Sequence, residues 1–116
     1  MTQKIIAVDF DGVIHRYRNG WQDGSIYDIP TNGSKVQLRR LVEKGYEIVI
    51  FTTRLNSEMG DDINLEKKKM DEWLKVNGFK KGVHYHNITA LKPKASFYID
   101  DRAIRFTKWK DISKYF

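Results

Sequence analysis

Short, continuous runs of apolar residues alternate along this chain with segments in which apolar residues recur at helical spacing. Ile5–Val8 and Tyr46–Phe51 have the length and continuity of strands that are buried on both faces of a sheet. Phe97–Ile99 is a third such run, and Val83–His86 is a weaker one. Buried strands that alternate with helices are typical of a parallel sheet in an α/β fold.

Two segments have the periodicity of amphipathic helices. The first begins at Ser34, whose hydroxyl is a suitable cap, and ends at Gly45. The second extends from about residue 61 to residue 77. From residue 104 onward, the pattern predicts an edge strand followed by a short terminal helix.

The segment between the first strand and the first helix is aromatic and polar. Asn19-Gly20 lies within it, and this dipeptide is a strong signal for a tight hairpin turn. The pattern therefore predicts a small β-hairpin flap at about residues 13–30. Three aromatic residues form either the flap's own core or a surface that stacks on a base or sugar: Tyr17, Trp21 and Tyr27.

The composition is that of one globular domain, residues 1–116. Of the 116 residues, 41% are hydrophobic and 13% aromatic, which is enough to bury a core. The absence of cysteine excludes disulfides, cysteine-ligated zinc, iron–sulfur clusters and thiol nucleophiles. No apolar run has the length of a signal peptide or membrane span, so we expect a cytoplasmic protein without membrane association.

The charge is basic, since 21 Lys and Arg residues stand against 15 Asp and Glu residues, a formal net charge of +6. Such a balance is compatible with a nucleic-acid partner. Lys67–Lys69 is most simply a solvated helix face. The alternative is a footprint for a phosphate backbone, formed by this run together with further lysines: Lys80, Lys81, Lys108, Lys110 and Lys114.

Two histidines, His84 and His86, lie two positions apart, which places them on one face of a strand. This spacing permits metal ligation, but no third ligand is evident in the sequence. We therefore interpret both as structural histidines.

Polar residues follow three of the predicted strands. They are Asp9 and Asp11 after the first strand, Thr52 and Arg54 after the second, and Asp100 and Asp101 after the fourth. Ligands of open α/β sheets bind outside the carboxyl ends of the strands. These side chains are therefore expected to meet at one edge of the sheet.

Such a cluster has a recognisable chemistry. Four carboxylates at one edge repel each other unless a cation lies among them, and a few hard oxygen ligands suit Mg²⁺. One carboxylate can act as a nucleophile, and a second one two residues on can protonate the leaving oxygen and then activate water. The nearby hydroxyl and basic side chains would bind a phosphoryl group: Thr52, Arg54, Arg102 and either Lys92 or Lys94.

Four motifs in this order resemble those of the haloacid dehalogenase superfamily. Val8–Val13 is similar to its first motif, a hydrophobic strand followed by D-x-D-G, and Ile48–Thr52 to its second. Lys92-Pro93 resembles the third motif, and Tyr98–Asp101, a strand that ends in paired acids, resembles the fourth. The resemblance spans nearly the whole chain.

The resemblance implies a role for each matching residue. Asp9 would be the nucleophile and a Mg²⁺ ligand, and Asp11 the general acid/base, with its main-chain carbonyl on the metal. Thr52 and Lys92 would hold the phosphoryl oxygens. The metal shell would be completed by the paired acids of the fourth motif, Asp101 with the support of Asp100.

Further residues are candidates for substrate binding: Thr53, Arg54, Lys94 and Arg102. For Arg54 and Arg102, ion pairs with the site acids are an equal alternative. The segments 45–54 and 99–102 are similar to the phosphatase domain of phage polynucleotide kinases. That similarity makes phosphates at polynucleotide ends candidate substrates.

The spacing between the motifs leaves no room for a cap domain. We therefore expect a three-layer α/β sandwich with a Rossmann-like parallel sheet and a small flap. The expected activity is that of a Mg²⁺-dependent phosphomonoesterase acting through an aspartyl-phosphate on a small-molecule or nucleic-acid phosphate. An open site also suits capping by a neighbouring subunit in a homo-oligomer. The alternatives are a phospho-receiver-like signalling module and a non-catalytic nucleic-acid-binding protein on the same scaffold.

Overall fold

The computed structural model describes residues 4–55, 63–90, 95, 97–100, 104–105 and 108–115. In chain order its elements are β1 (Ile5–Asp9), α1 (Ser34–Glu43), β2 (Glu47–Phe51), a 3-10 turn (Thr53–Leu55), α2 (Ile63–Val76), β3 (Asn87–Thr89), β4 (Phe97–Asp100), β5 (Ile104–Arg105), α3 (Trp109–Ile112) and a second 3-10 turn (Ser113–Tyr115). None of the helices in these ranges is both long enough and apolar enough to cross a bilayer.

The five strands form one parallel sheet in the order β3-β2-β1-β4-β5. The strand β1 has neighbours on both sides, and the side chains of Ile6, Ala7 and Val8 are fully buried. This central position explains why its sequence is a continuous apolar run rather than an alternating one. The parallel α/β sheet predicted from the sequence is confirmed.

The largest hydrophobic cluster lies on one face of the sheet. Ile6 pairs with Ile48 and Val8 with Ile50, so these four side chains share a face. The helices add buried residues to the same cluster: Leu38 and Leu41 from α1, Met70 and Leu74 from α2, and Trp109 and Ile112 from α3. The three helices thus pack on the cluster that these strand residues form, and no cap domain is present in the part of the chain that the structure describes.

The segment between β1 and α1, residues 13–30, is an irregular loop, so the prediction of a β-hairpin was wrong. The strand pairing in this loop is limited to isolated bridges of His15, one parallel with Asp11 and one antiparallel with Pro30. The Tyr27 hydroxyl accepts a hydrogen bond from the Asn19 N–H at 2.9 Å and donates one to the Gly20 carbonyl at 2.8 Å. Side-chain hydrogen bonds therefore close the turn that a strand ladder was expected to hold. We call this segment the flap loop.

Two further details differ from the sequence predictions. Gly33, at φ +81°, is the N-cap of α1, and Ser34 is the first helical residue without a side-chain cap bond. A positive φ costs glycine little, so the chain turns into the helix there without a serine cap. The strand expected at Val83–His86 begins later, because residues 82–84 form a turn and pairing with β2 starts at Asn87.

His84, in that turn, and His86, just before β3, accept backbone hydrogen bonds. The Lys80 N–H donates to His84 Nδ1 at 2.9 Å, and the Ile48 N–H donates to His86 Nδ1 at 2.9 Å. Burial lowers the pKa of His84 below its ordinary value, because desolvation disfavours the charged ring. Both rings therefore hold the backbone, as their structural interpretation predicted.

The base of the flap loop is attached to α3. The indole Nε1 of Trp109, which is fully buried, donates to the Val13 carbonyl at 3.0 Å and to Thr31 Oγ1 at 2.7 Å. Val13 is the first residue of the flap loop, and Thr31 directly follows its last residue. One side chain from the end of the chain thereby holds both ends of the flap loop together.

Candidate functional site

The carboxyl ends of the strands bring the predicted site residues to one edge. β1 ends at Asp9 and β2 at Phe51, and these two residues are paired in the sheet. Thr52 follows, and its N–H donates to the carbonyl of Thr89, the last residue of β3, at 3.0 Å. On the other side of β1, β4 ends at Asp100. The expected convergence is therefore present for the residues that the structure describes.

Asp11 and Arg54 form a two-point ion pair at this edge. Arg54 Nε lies 2.7 Å from Asp11 Oδ2, and Arg54 Nη2 lies 3.0 Å from Asp11 Oδ1. The side chain of Arg54 is 1% exposed and that of Asp11 is 18% exposed. The remaining arm of the guanidinium donates from Nη1 to the Gly24 carbonyl at 2.8 Å. Arg54 thus connects the D-x-D segment, the end of β2 and the flap loop.

Aromatic rings surround the guanidinium of Arg54. Its Cζ lies 5.4 Å from the ring centroid of Trp21 and 6.0 Å from those of Phe10 and Tyr17. Rings at such distances stabilise a cation through their quadrupoles. The cationic side chain is therefore buried with both carboxylate and aromatic partners. Of the two interpretations of Arg54, the structure shows the ion pair with a site acid, and this pair is buried.

His15 is a member of the site that sequence reasoning missed. Its ring is fully buried, and Nδ1 lies 2.8 Å from Asp11 Oδ1. Its Nε2 accepts the N–H of Asp28 at 3.0 Å. Because Nε2 accepts, the proton lies on Nδ1, and the neutral ring donates to Asp11. The one signal in the sequence is the spacing of four residues between Asp11 and His15 after the D-x-D-G turn.

A second ion pair supports this arrangement from the flap loop. The Arg18 side chain donates to both carboxylate oxygens of Asp28, with the shortest distance 2.7 Å, and the Arg18 N–H donates to Oδ2 at 3.0 Å. These hydrogen bonds from Arg18 hold the pKa of Asp28 well below its usual range. Asp28 is thereby fixed where its own N–H reaches His15.

Asp9 and Thr52 are oriented by the backbone. The Phe10 N–H donates to Asp9 Oδ1 at 2.8 Å. The buried Thr52 accepts the Arg54 N–H on Oγ1 at 3.2 Å. Thr53, the first residue of the 3-10 turn, is exposed.

The oxygen atoms at this edge fit a Mg²⁺ ion in their chemistry. Hydrogen bonds from Arg54 and His15 hold the carboxylate of Asp11. The Asp9 carboxylate and the main-chain carbonyl of Asp11 would be the oxygen ligands from this segment, and such all-oxygen sets suit Mg²⁺. Within the described ranges, no three acidic or histidine side chains form a metal cluster by themselves.

Some of the predicted site residues lie outside the described residues: Lys92, Lys94, Asp101 and Arg102. The backbone of Asp100 is described at the end of β4, and its side chain is not. The roles of these five residues stay predictions.

The fold and the site together define a parallel α/β protein with acidic and hydroxyl side chains at the carboxyl ends of its strands. The D-x-D segment begins with the last residue of the central strand β1, and a threonine directly follows β2.

Comparison with solved structures agrees with this fold. A structural-genomics target from Vibrio cholerae is 26% identical, with a TM-score of 0.58, and the match covers 97% of this chain and 95% of that one. The D,D-heptose 1,7-bisphosphate phosphatase from B. bronchiseptica, solved with magnesium and phosphate, is 20% identical, with a TM-score of 0.48. That match covers 97% of this chain and 63% of the phosphatase. No family model and no curated protein matches the sequence.

Proposed function

We propose that this protein is a Mg²⁺-dependent phosphomonoesterase with Asp9 as its nucleophile. The observation that carries the proposal is the pair of carboxylates after β1. Asp9 is held by the Phe10 N–H, while Asp11 is oriented by Arg54 and His15. Two carboxylates with different surroundings suit two roles, a nucleophile and a general acid/base.

The reaction has two steps. In the first, a carboxylate oxygen of Asp9 bonds to phosphorus as the bond to the leaving oxygen breaks, and protonated Asp11 gives its proton to that oxygen. In the second, Asp11 takes a proton from water, the water oxygen bonds to phosphorus, and the bond to Asp9 breaks to release inorganic phosphate. Both oxygens of Asp11 accept hydrogen bonds in this structure, Oδ1 from His15 and Arg54 and Oδ2 from Arg54, so proton transfer requires that one of these bonds opens.

The remaining site residues bind and neutralise the phosphoryl group. Mg²⁺ would be held by Asp9, the Asp11 carbonyl and Asp101, with Asp100 in support, and would neutralise charge on the phosphoryl oxygens. The phosphoryl oxygens themselves would be held by Thr52 and by Lys92, for which Lys94 is the alternative. Thr53 and Arg102 would contact the rest of the substrate.

Arg54 has a different role in this proposal. Its guanidinium is buried and occupied by Asp11 and Gly24. We therefore assign Arg54 to the positioning of Asp11 rather than to direct contact with the substrate.

The proposal is tested with an aryl phosphate in the presence of Mg²⁺, with EDTA, and with the variant Asp9→Asn. We expect EDTA to abolish turnover and Asp9→Asn to lower kcat on the order of a thousandfold or more. Asp71→Asn removes an exposed carboxylate from α2 and serves as the matched control with unchanged turnover. Persistent activity of Asp9→Asn contradicts the mechanism. A phosphorylated chain that accumulates without release of phosphate also contradicts it and matches the receiver alternative.

A further inference from the structure

A basic groove lies between α2 and β3, outside the site described above. It has a volume of about 450 Å³ and four lysines in its walls. These are Lys67 and Lys75 from α2, and Lys80 and Lys81 from the turn before β3. We call it the α2–β3 groove.

The lysines of this groove are not neutralised by neighbouring acids in the described part of the chain. Among the described residues, none of the four forms an ion pair, whereas neighbouring Lys69 pairs with Glu66 at 3.1 Å. The acidic residue of the groove is Asp71, whose Oδ1 lies 3.5 Å from the Tyr85 hydroxyl. The groove thus carries four positive charges against one negative charge.

The groove begins close to the candidate site. The helix α2 contacts the 3-10 turn that follows Thr52, and Lys67 lies in the second turn of this helix. Lys75 lies eight residues further on the same face of α2, about 12 Å along the helix axis. On the other wall, Ile88 precedes Thr89, whose carbonyl binds the Thr52 N–H. The groove therefore leads away from the phosphate-binding edge.

We propose that the α2–β3 groove binds the phosphate backbone of a single polynucleotide strand whose phosphorylated end occupies the site. This rests on the proposed function. A row of unpaired lysines is suited to successive phosphates, because each contact releases counterions from the nucleic acid. The aromatic residues of the groove, Phe79 and Tyr85, are buried. They offer no ring for base stacking, so binding is independent of base sequence.

The first experiment measures binding without catalysis. A fluorescent, unphosphorylated single-stranded oligonucleotide of mixed sequence is titrated with protein at several salt concentrations, with anisotropy as the readout. For Lys75→Gln/Lys80→Gln we expect about a tenfold rise in Kd. The slope of log K against log salt concentration should fall in magnitude by about 1.4, since each phosphate contact on a single strand contributes about 0.7.

The matched control is Lys68→Gln/Lys110→Gln, which removes two exposed lysines from outside the groove. We expect it to retain the Kd and salt slope of the unaltered protein far better than the groove variant does. No binding by the unaltered protein, equal losses in both variants, or equally strong competition by polyglutamate of the same charge would each overturn the proposal. Equal competition would assign the groove to acidic peptides instead.

A second experiment separates this inference from the proposed function. The groove variant is expected to keep its turnover of an aryl phosphate and to lose about tenfold in kcat/KM on a terminally phosphorylated oligonucleotide. Equal kcat/KM losses on both substrates would overturn the role of the groove. If the chain has no phosphatase activity at all, the proposed function fails, while the anisotropy experiment still reports on the groove.

Discussion

Asp11 and Arg54 are 43 positions apart in the sequence, and they meet in a buried, two-point ion pair at distances of 2.7 and 3.0 Å. The same guanidinium also binds the Gly24 carbonyl of the flap loop. The position of the proposed general acid/base therefore depends on two other segments of the chain.

The ion pair is expected to show strong coupling in a double-mutant cycle. Arg54→Met leaves a poorly exposed carboxylate without its main partner, and Asp11→Asn leaves a buried guanidinium without its counter-charge. We expect each to lower the free energy of unfolding by about 3 kcal/mol. In the double variant the loss should be smaller than the sum by about 1 to 2 kcal/mol. Urea denaturation measures all four proteins.

The control cycle for this pair uses Arg39 and Glu43, whose exposed side chains form an ion pair at 3.0 Å. Its coupling is expected to be about 0.5 kcal/mol or less, because solvent screens exposed charges. Additive losses for Asp11 and Arg54 would contradict a direct interaction between them.

His15 is expected to be a positioning residue for Asp11. His15→Phe leaves the buried Asp28 N–H without its acceptor and Asp11 without one donor, at a cost of about 2 kcal/mol in stability. We also expect kcat on an aryl phosphate to fall by at least tenfold with little change in KM. His15→Asn, which restores a donor beside Asp11, should recover part of kcat. A loss of stability without a change in kcat would show a purely structural role.

The Arg18–Asp28 pair predicts a contribution to acid sensitivity. The pKa of Asp28 is lower in the folded chain than in the unfolded chain. The contribution of Asp28 to the free energy of unfolding is therefore complete above its pKa in the unfolded chain and is lost as the pH falls below that pKa. We expect this loss below about pH 4, the ordinary range of an aspartate. Asp28→Asn should reduce the slope of stability against pH in that range. Near pH 7 this slope should be the same in the variant and the unaltered protein. The measurement is urea denaturation at a series of pH values. An unaltered acid slope in Asp28→Asn would contradict the assignment.

Trp21 distinguishes the two interpretations of the flap aromatics. Tyr17 and Tyr27 stack on each other, with centroids 6.3 Å apart, and both pack against His15, whereas Trp21 is 47% exposed. We expect Trp21→Ala to lower kcat/KM about tenfold for phosphate esters that carry a nucleobase, because base stacking contributes about 1 to 3 kcal/mol. Turnover of glycerol phosphate is the control and should change little. Equal losses on both substrates would show that Trp21 acts through Arg54 alone.

Local sequence patterns were sufficient for the sheet and for the edge where the site lies. The apolar runs of β1 and β2 are buried strands, and the acids and the threonine that follow them are neighbours at one edge. Such predictions succeed because a strand that is buried on both faces needs a continuous apolar run, whatever the rest of the chain does. For the flap loop, the local pattern gave the wrong prediction. Asn19-Gly20 indicates a β-hairpin, but in the structure hydrogen bonds of the Tyr27 hydroxyl close the turn.

The sequence by itself determined the parallel α/β class of the fold, the order of the motifs and the place of the carboxylates Asp9 and Asp11 at the end of the first strand. Only the tertiary structure decided which partners these carboxylates have. Arg54 became a buried partner of Asp11, and His15 became the donor that links Asp11 to the flap loop. The physical reason is that apolar periodicity reports burial locally, whereas a hydrogen bond requires two groups within about 3 Å, and folding alone brings distant segments that close.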